Sequence, residues 1–79
     1  MHELAAAQDV VKTALAAAEA EDAQKIVAIV LKIGSLYGVD QMRELIAMEA
    51  KGTIAEGARL DIEPVDGPNI QVESIEIEQ

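Results

Sequence analysis

Hydrophobic residues in the first part of the chain recur with the period of an α-helix. They form a stripe with alanine-rich flanks, which consists of Leu4, Ala7, Val10, Val11, Ala14, Leu15 and Ala18. Polar residues, among them Gln8 and Lys12, occupy the opposite side. This pattern predicts an amphipathic helix over residues 4–20, whose alanines favour the helical state.

The stretch QKIVAIVLKIG, residues 24–34, is rich in β-branched residues and ends at a glycine. It predicts a strand, in which side chains alternate between two faces. One face holds Ile29, Leu31 and Ile33, and the other holds Ala28, Val30 and Lys32. The second face is also largely apolar, whereas a solvated face would be more polar. We therefore expect it to be a candidate contact with a partner or with a second copy of the chain.

Residues 35–52 follow as a turn and a second amphipathic helix. Asp40 is its candidate N-cap and Gly52 its candidate C-cap. Its apolar stripe consists of Met42, Leu45, Ile46 and Ala50. Alternation over residues 58–63 then predicts a second strand, which Pro64 restricts to an edge or ends.

A turn signal at residues 66–68 precedes a third predicted strand, whose alternation has one break. Ile70 and Val72 are in phase, but Ile75 and Ile77 have the opposite parity. A β-bulge near residues 73–74 would return all four side chains to one face. The order α-β-α-β-β predicts an α+β fold, with two helices packed on one face of a small, mostly antiparallel three-stranded sheet.

Composition and charge then narrow the classes of function. The chain has 79 residues, a net charge of −9, no Cys and one His. Such a negative field repels phosphate groups, so we expect neither nucleic acid nor an anionic membrane as a partner. No nucleophile–base pair and no phosphate-binding glycine motif is present, and we therefore expect no enzyme. No signal peptide is visible, so a cytoplasmic location is the expectation.

The single histidine, His2, directly follows Met1. A free α-amino group, the amide nitrogen of residue 2 and the imidazole of residue 2 can chelate one metal ion through a five-membered and a six-membered ring. Nickel(II) and copper(II) favour such square-planar nitrogen sites. The first N–H groups of a helix have no intrahelical acceptor, so these amides are free for a metal.

Four stretches carry a similarity to a known family: MHEL at 1–4, KIGSLYGV at 32–39, KGTIAEGARLDIE at 51–63 and VESIEIE at 72–78. On these the chain resembles the HypA-type hydrogenase/urease nickel-incorporation proteins, which are metallochaperones. The resemblance implies that nickel(II) is held by the amine of Met1, the backbone nitrogen and imidazole of His2, and the backbone nitrogen of Glu3. It also implies two protein partners, a nickel-loading GTPase and a nickel apoenzyme such as a hydrogenase or urease.

The chain departs from this family between its last two strands. Family members insert there a zinc domain with two CxxC pairs, whereas this chain has a short turn near residues 64–69 and no Cys. We therefore expect a single nickel-binding-type domain over residues 1–79, without a zinc domain and without bound zinc.

Three interpretations follow from the sequence. The first is a minimal nickel metallochaperone that contributes to the maturation of a nickel enzyme such as hydrogenase. The second is a zinc-less paralogue that keeps the fold but acts as a protein-interaction module without metal delivery. The third is an engineered fragment in which the turn replaces an excised domain.

Overall fold

The order of helices and strands is the one that the sequence predicts. The computed structural model describes residues 2–79. Its elements are helix α1 (Glu3–Ala20), strand β1 (Lys25–Gly34), helix α2 (Val39–Ala50), strand β2 (Arg59–Val65) and strand β3 (Ile70–Glu78). The α+β fold class is confirmed.

The three strands form one mixed sheet in the order β2-β1-β3. β1 pairs with β2 in parallel and with β3 in antiparallel orientation. The parallel pairing was not anticipated from the sequence, and it makes α2 the crossover of a β-α-β unit. Because β1 is the central strand, it is paired along both edges and supplies most of the buried sheet residues.

The core lies between the helices and one face of the sheet. Its fully buried large side chains are Ile26, Ile29, Leu31, Ile33, Met42 and Ile46. Small residues on α1, such as Ala7 and Ala14, are also fully buried and let this helix approach closely. Leu60 and Ile62 of β2 pack against the same cluster. The core is therefore almost entirely aliphatic, as the composition requires.

The predicted β-bulge in β3 is confirmed. Val30 pairs with Ser74 and Leu31 pairs with Val72, so Glu73 has no partner in the ladder. The extra residue restores the phase, and the four apolar side chains of β3, which are Ile70, Val72, Ile75 and Ile77, all pack against the core. A second irregularity in β1, at Val27, gave no signal in the sequence.

Three details of the helices differ from the predictions. Leu4 was expected on the buried stripe of α1, but it is 50% exposed, and the buried stripe begins at Ala7. Asp40 was expected to cap α2, but the N-cap is Gly38 and Asp40 lies inside the first turn. There its carboxylate still interacts favourably with the helix dipole. Gly52 was expected to be the C-cap of α2, but the C-cap is Lys51, and Gly52 follows it with a φ of 80°.

The face of β1 that points away from the helices is flanked by charged side chains. Ala28 lies between Arg59 and Glu76, and Val30 lies between Asp61 and Ser74. Ala28 is fully buried and Val30 is half-buried. The apolar surface on this face is therefore narrower than the alternation in the sequence indicated, and contact with a second copy of the chain stays a prediction.

Arg59 holds the charged groups of this face together. Its guanidinium donates to the Asp61 carboxylate at 2.9 and 3.1 Å and to the Glu76 carboxylate at 3.0 Å. The hydrogen bonds and charge of Arg59, with a smaller contribution from Arg43, hold the pKa of Asp61 below its ordinary value of 3.8. These side chains are largely exposed, so the effect on stability is small.

A titration of Asp61 checks this arrangement. Because its folded pKa lies below the unfolded value, the carboxylate stabilises the fold above the unfolded pKa, and this contribution is lost as pH falls through the folded pKa. We expect Arg59→Gln to raise the pKa of Asp61 toward 3.8, and Arg43→Gln to raise it less. Carboxyl chemical shifts followed by NMR against pH measure both, and equal shifts in the two variants would contradict the assignment.

The link between β2 and β3 crosses the end of β1 and connects the two edges of the sheet. The N–H of Gly34 donates to the Asn69 carbonyl at 2.7 Å, and the N–H of Leu36 donates to the Gly67 carbonyl at 3.4 Å. Gly67, with φ 110°, needs the conformational freedom of glycine. The link therefore passes directly over Gly34 and is bonded to the loop that follows β1.

Within residues 2–79, no helix is both long and apolar enough to cross a membrane.

Candidate functional site

Of the three predicted nickel-binding residues, the structure describes two. His2 is the N-cap of α1 and is exposed, and Glu3 is the first residue of the helix. Met1 lies outside the described residues. His2 and Glu3 therefore lie where the sequence analysis placed them, at the beginning of a helix that is anchored to the core by Ala7 and Val10.

The hydrogen bonding of the first turn leaves the relevant nitrogens available. Within the part of the chain that the structure describes, the helical ladder begins with the N–H of Ala6, which donates to the His2 carbonyl at 3.0 Å. Within residues 2–79 no backbone carbonyl accepts a hydrogen bond from the N–H of His2. The N–H of Glu3 precedes the first residue that can find an intrahelical acceptor. A metal could replace both amide protons without breaking a bond of the helix.

Charges of both signs act on a cation at the first turn of α1. The N-terminus of a helix carries a partial positive charge, which repels a cation. Glu3 places a carboxylate in the first turn of α1, and the chain as a whole carries a charge of −9. Each deprotonated amide adds a further negative charge beside the metal. These charges offset the helix dipole.

The structure adds two residues that the sequence analysis did not single out as part of the site. A shallow depression of about 260 Å³ is lined by His2, Glu3, Leu36 and Tyr37. Leu36 is 76% exposed, and Tyr37 is half-buried against the core. Both lie in the loop between β1 and α2, more than thirty positions along the chain from His2. No local pattern could have placed them beside the N-terminus.

Tyr37 also borders a second cavity of about 220 Å³ between α1 and the start of β3. The polar residues at its rim include Asp9, Thr13 and Asn69. Among residues 2–79, no group of three or more His, Asp or Glu side chains is arranged to hold a metal ion. The predicted site differs in kind from such a group, because most of its ligands are backbone nitrogens.

A family model and the curated relatives of this chain all point to one protein family. A family model described as hydrogenase/urease nickel incorporation, metallochaperone, hypA matches residues 1–77. The hydrogenase maturation factor HypA of Picosynechococcus sp. is 45% identical over 67 residues, which cover 82% of this chain and 59% of the relative. The same factor from Geobacter sulfurreducens is 44% identical over 69 residues, which cover 85% of this chain and 60% of the relative.

An archaeal relative extends the comparison. The hydrogenase maturation factor HypA of Methanothermobacter thermautotrophicus is 37% identical over 67 residues, which cover 82% of this chain and 55% of the relative. The chain thus spans little more than half the length of these curated relatives. The family model nevertheless covers nearly all of its 79 residues. The chain belongs to the HypA family of hydrogenase/urease nickel-incorporation metallochaperones.

Proposed function

We propose that this chain binds one nickel(II) ion at its N-terminus and contributes to the maturation of a nickel enzyme such as a hydrogenase. The ligands are the amine of Met1, the backbone nitrogen and imidazole of His2, and the backbone nitrogen of Glu3. Nickel is the cargo of the protein. Membership of the nickel-incorporation family supports the choice of metal.

The observation that carries the proposal is the position of the hydrogen-bond ladder of α1. Its first bond runs from Ala6 to His2, so the nitrogens of His2 and Glu3 lie ahead of the ladder. The helix holds these two residues at a defined place on the surface, and neither amide has to leave a helical bond to bind a metal. A square-planar nitrogen set of this kind suits nickel(II) and copper(II).

Binding of this kind releases protons from the amine, the imidazole and the two amides. We therefore propose that the affinity for nickel rises with pH through the neutral range, because protons compete with the metal for the same nitrogens.

We further propose that residues 1–79 work as a single nickel-binding domain, located in the cytoplasm, without a zinc-binding domain. The short link of residues 66–69 between β2 and β3 supports this, because it crosses the sheet end where the family resemblance places the zinc insertion. The protein partners are then a nickel-loading GTPase and the recipient apoenzyme, met through surfaces of the nickel domain itself.

Calorimetric titration with nickel(II) tests the site. Protein with a free Met1 amine should bind one equivalent, and His2→Ala should weaken binding by at least roughly a hundredfold, since loss of a direct ligand exceeds the usual effect of a neighbouring group. His2 is exposed, so the variant should keep its circular dichroism spectrum. Equal affinity in the two proteins would remove this proposal and favour a protein-interaction module.

Two variants at Glu3 separate its backbone nitrogen from its carboxylate. Glu3→Gln keeps the nitrogen and should bind nickel much as the parent does. Glu3→Pro removes the N–H at the first helical position, where proline is well tolerated. It should bind nickel more weakly than Glu3→Gln while α1 stays helical. Equally weak binding by the two variants relative to the parent would identify the carboxylate as the ligand and contradict the proposed nitrogen set.

A further inference from the structure

The loop between β1 and α2 places two side chains against the proposed nickel site. Leu36 and Tyr37 complete the depression that His2 and Glu3 begin. Leu36 does not belong to the core and exposes 76% of its surface. A single exposed leucine is ordinary on a protein surface, so its exposure by itself carries no meaning. What matters is that Leu36 lines the same depression as His2.

The backbone of this loop is tied down on both sides. The N–H of Tyr37 donates to the Gly34 carbonyl at 3.0 Å, and the N–H of Leu36 donates to the Gly67 carbonyl at 3.4 Å. On the other side, the Gly38 carbonyl accepts the first helical bond of α2, from Met42 at 2.9 Å. Tyr37 also packs on the core. The backbone that carries Leu36 and Tyr37 is thus held in place, and we call the two side chains the wall of the depression.

The chemistry of a square-planar nickel ion gives this wall a role. Such an ion has two open faces at which water can bind, and added ligands convert it toward five or six coordination. An aliphatic side chain offers no ligand atom, and an apolar shell around a metal site limits the access of solvent to it. A wall on one face therefore favours metals that accept four planar nitrogens over metals that require an octahedral shell.

We infer that Leu36 and Tyr37 cover one face of the N-terminal nickel site and keep bound nickel(II) from becoming six-coordinate by excluding water from that face. The inference rests on the proposed function, since it assumes nickel at the nitrogens of Met1, His2 and Glu3. It assigns to the β1–α2 loop a contribution to selectivity against metals that require an octahedral shell, added to the preference of the nitrogen set itself.

The test compares nickel-loaded parent with Leu36→Ser. The parent should contain four-coordinate, diamagnetic nickel with sharp proton NMR lines near His2. Leu36→Ser should shift nickel toward six coordination, seen as broadened lines and a higher coordination number by nickel X-ray absorption. It should also release nickel to EDTA roughly tenfold faster. Leu36 is exposed, so the variant should stay folded.

Two controls make the result specific. Met48→Ser removes another exposed apolar side chain, 59% exposed on α2 and outside the depression, and should leave the nickel spectrum unchanged. Tyr37→Phe keeps the ring and should also leave it unchanged; a large change there would identify the hydroxyl as a ligand and overturn the apolar wall.

The failures of the two proposals are distinguishable. If nickel binds at the N-terminus and Leu36→Ser gives the spectrum and release rate of the parent, the wall is wrong and the nickel site stands. If parent and His2→Ala give the same nickel spectrum, the N-terminal site is wrong and the wall is overturned with it.

Discussion

Blocking the amine of Met1 should abolish tight nickel binding without disturbing the fold. We consider a Gly-Ser-Gly-Ser-Gly-Ser extension ahead of Met1. It converts the Met1 amine into a peptide amide, so the chelate loses its one readily deprotonated aliphatic nitrogen. The remaining amide protons must then be displaced without that anchor. We expect the affinity for nickel(II) at neutral pH to fall by at least roughly a hundredfold in a calorimetric titration.

The same six residues placed after Gln79 provide the matched control, and this protein should bind nickel as the parent does. A single added residue is a poor test. It would move His2 to the third position, where a free amine, two amides and the imidazole can again surround nickel in a plane. Equal nickel binding by the two extended proteins would show that the amine of Met1 is not a ligand.

Substitution of Gly34 should cause a large loss of stability. A Cβ at this position would overlap the Gly67 carbonyl oxygen and lie 2.8 Å from the Asn69 carbonyl oxygen, and both are backbone atoms that cannot rotate away. In Gly34→Ala the link between β2 and β3 must therefore move off the end of β1. The hydrogen bonds from Gly34 to Asn69 and from Leu36 to Gly67 would be lost or lengthened.

The expected cost of Gly34→Ala combines about 1–3 kcal/mol for the overpacking with about 0.5–1.5 kcal/mol for each of the two hydrogen bonds. Small domains of this size have a free energy of unfolding of about 4–12 kcal/mol, so the loss is a large part of it. Urea denaturation followed by circular dichroism measures it.

Gly38→Ala is the matched control for this measurement. A Cβ at Gly38 would meet no atom closer than 3.8 Å, and the residue caps α2 with an ordinary extended backbone. We expect a cost of about 1 kcal/mol or less, mainly from the poorer cap. Similar midpoints for Gly34→Ala and Gly38→Ala would contradict the position of the link over β1.

Several features of the fold could be predicted because they depend on the period of hydrophobic residues. The helical period of the N-terminal stripe predicted α1, and the two-residue period over residues 58–63 predicted β2. The break in parity between Val72 and Ile75 predicted the bulge in β3, because a strand can keep four apolar side chains on one face only by adding a residue. These are local properties of the chain, and they survive folding.

Other features could not be predicted because they depend on contacts between distant segments. The parallel pairing of β1 and β2 depends on the direction in which α2 returns the chain, and alternation alone is the same in either orientation. The exposure of Leu4 depends on how α1 packs against the rest of the fold. The charged surroundings of Val30 depend on the register that places Asp61 and Ser74 beside it.

The same division applies to the candidate site. The sequence by itself determined the family similarity and the predicted nickel ligands. Met1, His2 and Glu3 are neighbours in the chain, so their nitrogens can chelate one metal ion without any tertiary contact. Only the tertiary structure decided what lies against them. Leu36 and Tyr37 line one depression with His2, and the loop that carries them is bonded to the link that crosses Gly34. Tertiary packing brings these distant residues together, and their spacing along the chain gives no indication of it.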